Sequence, residues 1–270
     1  MTWQSDTIEV NGLRLHYTRT GGDKPALVLA HGFSDDGLCW TPVAEILAPD
    51  YDVIMVDARG HGRSAAPEQG YGSAEHVADL AGVISALRLQ RPILLGHSMG
   101  AMSTLLLAGT YPDLPRAILL EDPPPAWSAN WPPPNTPRRG GHTNWIVDVK
   151  RKTREEMIAD QHAASPSWSE AELGPWADSK LRLSMNVLNE GGQVSVDWNA
   201  AVHRVTCPTL LITADRERGA IVSPEGAAEL QAILPRVKVA HIAGAGHSIR
   251  REQFEQYMKV VGEFLMEIRD

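Results

Sequence analysis

Short, unbroken apolar runs recur along the chain, separated by longer stretches of mixed character. Residues 26–30, 51–56, 92–95, 117–122 and 208–214 carry them, each four to seven residues long, and 237–242, with Lys238 and His241 inside it, reads as the last strand. Runs of this length, without polar alternation, are what strands covered on both faces look like. Residues 7–18 differ, alternating apolar and polar positions around Asn11-Gly12, the pattern of a hairpin. Between the runs the spacing becomes helical, over 41–47, 74–89 and 101–108, and again in a closing helix over 251–268. Strands that alternate with helices predict an α/β fold built on a mostly parallel, doubly wound sheet.

The interval 123–203 breaks this rhythm. It opens with Pro123-Pro124-Pro125, adds Pro132-Pro133-Pro134, and holds six of the eight tryptophans: Trp127, Trp131, Trp145, Trp168, Trp176 and Trp198. Two amphipathic stretches, 143–163 and 169–189, read as helices. An insertion at the end of the sixth strand lies where ligands enter α/β sheets, so it is expected to be a helical cap over a pocket. The expected organisation is a core domain of residues 1–122 and 204–270, with the cap at 123–203. Most of the indoles are expected to form the cap's own small core, and Trp127 and Trp131 to face the pocket.

At 270 residues and 43% hydrophobic, the chain can bury one large domain and an insertion. A net charge of −8 without a basic cluster argues against nucleic acid or an anionic membrane as the partner. Cys39 and Cys207 have neither metal-ligand spacing nor a disulfide framework, and no apolar run approaches 18 residues. The expectation is a cytoplasmic protein, monomer or homodimer, with no metal or cofactor and a small-molecule partner.

Chemistry concentrates at Gly96-His97-Ser98-Met99-Gly100, between the run at 92–95 and the apolar helix at 101–108. A strand that turns abruptly into a helix with Gly-x-Ser-x-Gly at the corner is a nucleophile elbow. The glycines allow strand and helix to pass closely, and the turn lifts Ser98 to a helix N-terminus, where backbone N–H groups favour negative charge.

Four motifs in order resemble the α/β-hydrolase superfamily: His31-Gly32-Phe33 after one strand, Asp57-x-Arg59-Gly60-His61-Gly62-x-Ser64 after the next, the elbow, and Gly244-Ala245-Gly246-His247 after the last strand. The resemblance covers nearly the whole chain. It implies Ser98 as nucleophile, His247 as base, and an oxyanion hole made by the Phe33 and Met99 amides. It implies supporting roles for His31, which is also expected near the pocket, and for His97, His61, Asp57 and Arg59. For the triad acid the resemblance leaves alternatives. Most members take it from the loop after the seventh strand, which here offers Asp215 and Glu217, although Ala214 stands where a glycine is usual. Haloalkane dehalogenases and some lactone- and amide-cleaving relatives carry it at the end of the sixth strand, which falls on Asp122, 24 residues beyond Ser98. The short loop Gly219-Ala220-Ile221-Val222 echoes that second group. Asp122 is favoured, ahead of Asp215, with Glu217 and Glu121 behind.

The activity so implied is hydrolysis of a small-molecule carboxylic ester or lactone through an acyl-enzyme. Amide or carbon–carbon (diketone) hydrolysis fits the same frame. Dehalogenation and epoxide opening call for a carboxylate nucleophile, which Ser98 replaces. A non-catalytic small-molecule receptor is the alternative from another class.

Overall fold

The computed structural model describes residues 3–132, 140–189 and 196–269. The order is β1 (Gln4–Val10), β2 (Leu13–Arg19), β3 (Ala26–Ala30), α1 (Thr41–Leu47), β4 (Asp52–Val56), α2 (Ser73–Ala86), β5 (Ile93–His97), α3 (Met99–Thr110) and β6 (Ala117–Glu121). Then come α4 (Gly140–Val149), α5 (Arg154–Ala164), α6 (Glu170–Arg182), α7 (Trp198–Val202), β7 (Thr209–Ala214), α8 (Pro224–Ile233), β8 (Val237–Ile242), α9 (Ile249–Glu252) and α10 (Phe254–Glu267). Pro133 and Pro134 lie outside the described residues.

All eight strands form one sheet in the order β1-β2-β4-β3-β5-β6-β7-β8. The hairpin expected around Asn11-Gly12 is the antiparallel pair β1–β2, and β2 joins β4 antiparallel. From β4 to β8 every pair is parallel. The apolar runs are continuous because each central strand feeds two cores. Val28, Ile54, Leu94, Ile118 and Leu211 face one side, with α2, α3 and α8. Leu27, Leu29, Met55, Leu95, Leu119 and Ile212 face the other, with α1 and α10. Parallel strands all end at the same edge of the sheet, so β3, β5, β6 and β7 deliver their following loops to one place.

Helix boundaries depart from the periodicity in three places. The stretch expected as one helix over 143–163 is two, because Thr153 starts a new one with a capping box: its hydroxyl accepts from the Glu156 N–H while the Glu156 carboxylate accepts from the Thr153 N–H. The helix expected over 169–189 ends at Arg182, and Met185–Leu188 is a separate 3₁₀ turn. The closing helix is divided at Gln253, whose non-helical backbone (φ −138°, ψ 58°) separates α9 from α10.

The tryptophans also sort differently. Trp168 and Trp176, edge to face with centroids 6.1 Å apart, form a small cluster with Val149, Met157 and Leu173. Trp127 and Trp198 instead join the main core, because the two ends of the insertion run back over the sheet's own helices. Trp145 is exposed. Among the described residues, two of the six therefore make a core of the insertion's own.

The elbow shows why its glycines are needed. A Cβ on Gly96 would meet the Gly100 carbonyl, and one on Gly100 would meet the Ala30 carbonyl, so strand and helix touch backbone to backbone. Neither neighbour is a flexible side chain that could swing aside. Gly100→Ala is therefore expected to cost about 3 kcal/mol, the upper end for overpacking, read as a lowered urea midpoint at unchanged slope. An unfolding free energy within about 0.5 kcal/mol of the parent, the usual scatter of surface substitutions, would show that the contact relaxes freely.

Candidate active site

Ser98 sits between β5 and α3 with φ 51° and ψ −114°, a left-handed backbone rare for a residue with a Cβ. Its own N–H donates to the Glu121 carbonyl at 2.9 Å, tying the corner to the end of β6. The strain is held by packing on both sides and aims the side chain away from the sheet. Among the described residues the Ser98 hydroxyl makes no hydrogen bond. Met99, next in the chain, opens α3, and its N–H is one of the first-turn donors with no intrahelical partner. Phe33 lies on the loop after β3, its ring packed against Tyr71, Ile146, Leu183 and Val187, three of them from the insertion.

Asp122 follows β6 and is also left-handed, at φ 40°, and fully buried. Its carboxylate is surrounded by donors. Ile221 N–H donates to both oxygens at 3.0 and 2.8 Å, and Val222 N–H donates to Oδ1 at 2.9 Å. His247 Nδ1 lies 2.7 Å from Oδ2. An ionised carboxylate can only accept, so the shared proton is on Nδ1 and the lone pair of His247 is on Nε2. The His247 ring is one-third exposed, facing outward from a buried partner.

The other carboxylates are engaged elsewhere. Asp215 Oδ1 meets His241 Nε2 at 3.0 Å and Oδ2 accepts from Gly244 N–H at 2.7 Å. Those contacts hold its carboxyl below the usual range, the Gly244 amide foremost. Glu121 is bound by Arg250, and Glu217 lies exposed on a 3₁₀ turn. Of the four candidates considered from the sequence, Asp122 is the one that meets His247.

His31 donates from Nδ1 to the Gly32 carbonyl at 2.8 Å and accepts from Ala58 N–H on Nε2 at 3.0 Å. Both ring nitrogens are committed to backbone, so it braces the loop and has none left for a ligand. Trp127 is likewise withdrawn from the expected pocket: it is a core residue whose indole N–H donates to the Gly226 carbonyl. Trp131 is half-buried. Asp57 accepts from Gly37 N–H and Arg63 N–H and pairs with His16, while Arg59 is held by Asp79, so both brace their turn.

Two contributions had no side-chain signature in the sequence. The Ile221 and Val222 amides are backbone donors, and only the resemblance of the 219–222 loop hinted at them. Arg216 fixes that loop by donating to the Ala220 and Ile221 carbonyls at 2.5 Å. His97 was expected as a support, and its partner is specific: Nε2–H donates to the His247 carbonyl at 2.9 Å, with the two rings 4.7 Å apart.

Burial, with the neighbouring His247, pushes His97 well below the usual histidine range, and burial with His31 does the same to His61. Both rings are therefore neutral when folded, whereas the unfolded chain takes up protons below about pH 6.5. The unfolded state then binds more protons, and stability falls as the pH drops from about 6.5, by up to about 1.4 kcal/mol per pH unit for each ring. Melting temperatures at pH 7.5, 6.5 and 5.5 should decline in that order; a flat series would contradict neutral, buried rings.

A parallel sheet of this order, with a strained serine after β5 and a histidine after the last strand, is the frame of a hydrolase. The chain belongs to the alpha/beta hydrolase family, whose family model matches residues 27–259. It is 30% identical over 273 residues to N-formylmaleamate deformylase of Pseudomonas putida, covering 96% of this chain and 95% of the relative. It is 26% identical over 268 residues to 2-(acetamidomethylene)succinate hydrolase of Mesorhizobium japonicum, covering 97% and 95%. Among solved structures, an N-formylmaleamic acid deformylase from Pseudomonas putida matches with a TM-score of 0.80 at 23% identity, over 96% of this chain and all of that one. Among the described residues no helix is long and apolar enough to cross a membrane, and no group of three histidine, cysteine or acidic side chains could hold a metal ion.

Proposed function

We propose that the protein is a serine hydrolase that cleaves the acyl bond of a small molecule through an acyl-enzyme, with Ser98, His247 and Asp122 as its triad. The observation that carries this reading is the 2.7 Å contact between His247 Nδ1 and a carboxylate held in place by two backbone amides. Such a carboxylate fixes the His247 tautomer and stabilises the imidazolium once it forms.

Ser98 Oγ attacks the acyl carbon while His247 Nε2 takes its proton. The carbonyl oxygen gains charge and is received by the Phe33 and Met99 N–H groups, the latter aided by the α3 N-terminus. His247 passes the proton to the leaving group. It then takes a proton from water, which attacks the acyl-enzyme and releases the acid. Residues 123–203 act as the cap, and the apolar contacts of Phe33 with the insertion favour a compact acyl group.

The sequence argues for oxygen as the leaving atom, in an ester or lactone. A second reading, nitrogen, is favoured by the names of the two relatives given above, a deformylase and an acetamido-compound hydrolase, so an N-acyl amide of a small organic molecule joins the substrate class. The test is acid release from matched p-nitrophenyl esters, a γ-lactone, and N-formyl and N-acetyl enamides. Turnover of at least one acyl class with stoichiometric acid is expected. Tight binding without turnover across the whole panel would instead make the protein a receptor.

A further inference from the structure

Six charged side chains are buried together behind the loop after β3, and the acyl chemistry uses none of them. Asp35 Oδ1 accepts from Lys180 Nζ at 2.7 Å; its Oδ2 lies 3.0 Å from an Arg251 nitrogen and 3.4 Å from one of Arg250. Arg250 also donates its backbone N–H and its guanidinium to Glu121, at 3.0 and 3.1 Å. Arg251 Nε donates to Glu172 at 3.0 Å. None of the six is more than 5% exposed. Three carboxylates face three cations, so the cluster is formally neutral. Indoles cover its cations: Trp40 stacks at 4.2 Å on Arg250, and Trp168 at 4.7 Å on Arg251.

The positions of these residues in the chain give the cluster its meaning. Asp35 lies two residues beyond Phe33, and Glu121 directly precedes Asp122. Arg250 and Arg251 follow His247 by three and four residues, while Glu172 and Lys180 belong to α6. Lys180 Nζ also donates to the Ser34 carbonyl at 3.0 Å, and Ser34, next to Phe33, has a left-handed φ of 69°. Two residues on, Arg182 reaches Asp36 with Nε at 2.8 Å. The oxyanion loop, the acid and the base are thus each anchored within a few residues of one buried cluster, and α6 of the insertion closes it.

Apolar side chains of similar volume would pack at least as stably as buried ion pairs. What hydrogen-bonded charges add is direction, because each contact fixes a donor against a particular oxygen. Burial opposes charge on Asp35, yet Arg251, Lys180 and Arg250 together hold its carboxyl well below the usual range, so it is ionised where a hydrolase works.

We propose that Lys180 is a positioning residue: bound to Asp35 and the Ser34 carbonyl, it aims the Phe33 N–H at the oxyanion and so makes the chemistry depend on the seating of α6. This rests on the Ser98 acyl-transfer reading. A lysine that merely fastens α6 would affect stability and substrate affinity; one that aims a donor acts on kcat.

The experiment compares wild type, Lys180→Met, Lys180→Arg and the double variant Lys180→Met/Asp35→Asn, with steady-state kinetics on the best acyl substrate and thermal melts. The double variant removes one charge of each sign, leaving Glu121 and Glu172 against Arg250 and Arg251. Lys180→Met is expected to lose about 100-fold in kcat, the size of losing one oxyanion donor, with KM within about threefold. Lys180→Arg should recover most of that loss. The double variant should regain the wild-type melting temperature without regaining kcat. Recovery of kcat along with stability, or a folded Lys180→Met with near wild-type kcat, would overturn the proposal, and the double variant decides alone if the single one does not fold. Wild type that neither turns over an acyl substrate nor reacts with a fluorophosphonate would remove the underlying reading, an outcome distinct because the parent itself is inert.

Discussion

Replacing Ser98 with alanine is expected to lower kcat by about 10⁶-fold, because nucleophile and base act as a unit and little survives when either is lost. Stability should change little. Alanine has the same Cβ in the same left-handed position, and the Ser98 hydroxyl has no hydrogen bond to lose within the described residues. The oxyanion donors proposed on Met99 and Phe33 are backbone groups that the substitution leaves in place, so a residual acceleration of about 10³ to 10⁴ over water is expected. His247→Ala should fall to a similar level, and the Ser98→Ala/His247→Ala double variant no further. A folded Ser98→Ala enzyme with more than a tenth of the parent kcat would remove the nucleophile from this account.

Asp122→Asn is expected to cost about 10⁴-fold in kcat at nearly unchanged KM, and the donors around the carboxylate explain how. Ile221 N–H reaches both oxygens but Val222 N–H donates to Oδ1 alone, so the amide oxygen of asparagine must keep that place. Its NH₂ then takes the place of Oδ2, opposite His247 Nδ1. A donor facing Nδ1 forces the ring to accept there and to carry its proton on Nε2, where a base for Ser98 needs a lone pair. Asp215→Asn should leave kcat within about threefold, since its carboxylate serves His241 and the Gly244 amide, and the penalty should appear in the melting temperature alone. Equal collapse of both variants would mean that the loop after β7 takes part in the chemistry.

The sheet was legible because its central strands are covered on both faces: a run such as 117–120 has no polar option at any position. The elbow was legible for a local reason, as its two glycines stand where backbones touch and no Cβ fits. Helix ends were less so. Thr153 and Glu156 form a capping box that the sequence displays, but the apolar spacing carries across residues 150–153 and hides the break. The indoles misled for a different reason: Trp127 and Trp198 lie in the insertion by sequence and in the main core by space.

The carboxylate that meets His247 was half legible. Asp122 and Asp215 both end a buried strand, both lie before a turn, and both lie within reach of the last loop in sequence terms. What separates them is which loop donates amides to which carboxylate, and amides carry no letter. The cluster around Asp35 was not legible at all. Its members at 35, 121, 172, 180, 250 and 251 come from four parts of the chain, and each alone reads as an ordinary charged residue. Their proximity follows from parallel strands ending at one edge, a property of topology that no local pattern records.

The central claim is that Ser98 forms the covalent intermediate with His247 as its base. Its most direct test is intact-protein mass spectrometry after treatment with a fluorophosphonate, followed by peptide mapping. The account predicts one adduct per chain, located on Ser98, formed at least about 10³-fold more slowly in His247→Ala, the scale set by losing a general base. An adduct on another residue, or none on wild type under conditions that saturate a known serine esterase, would contradict it.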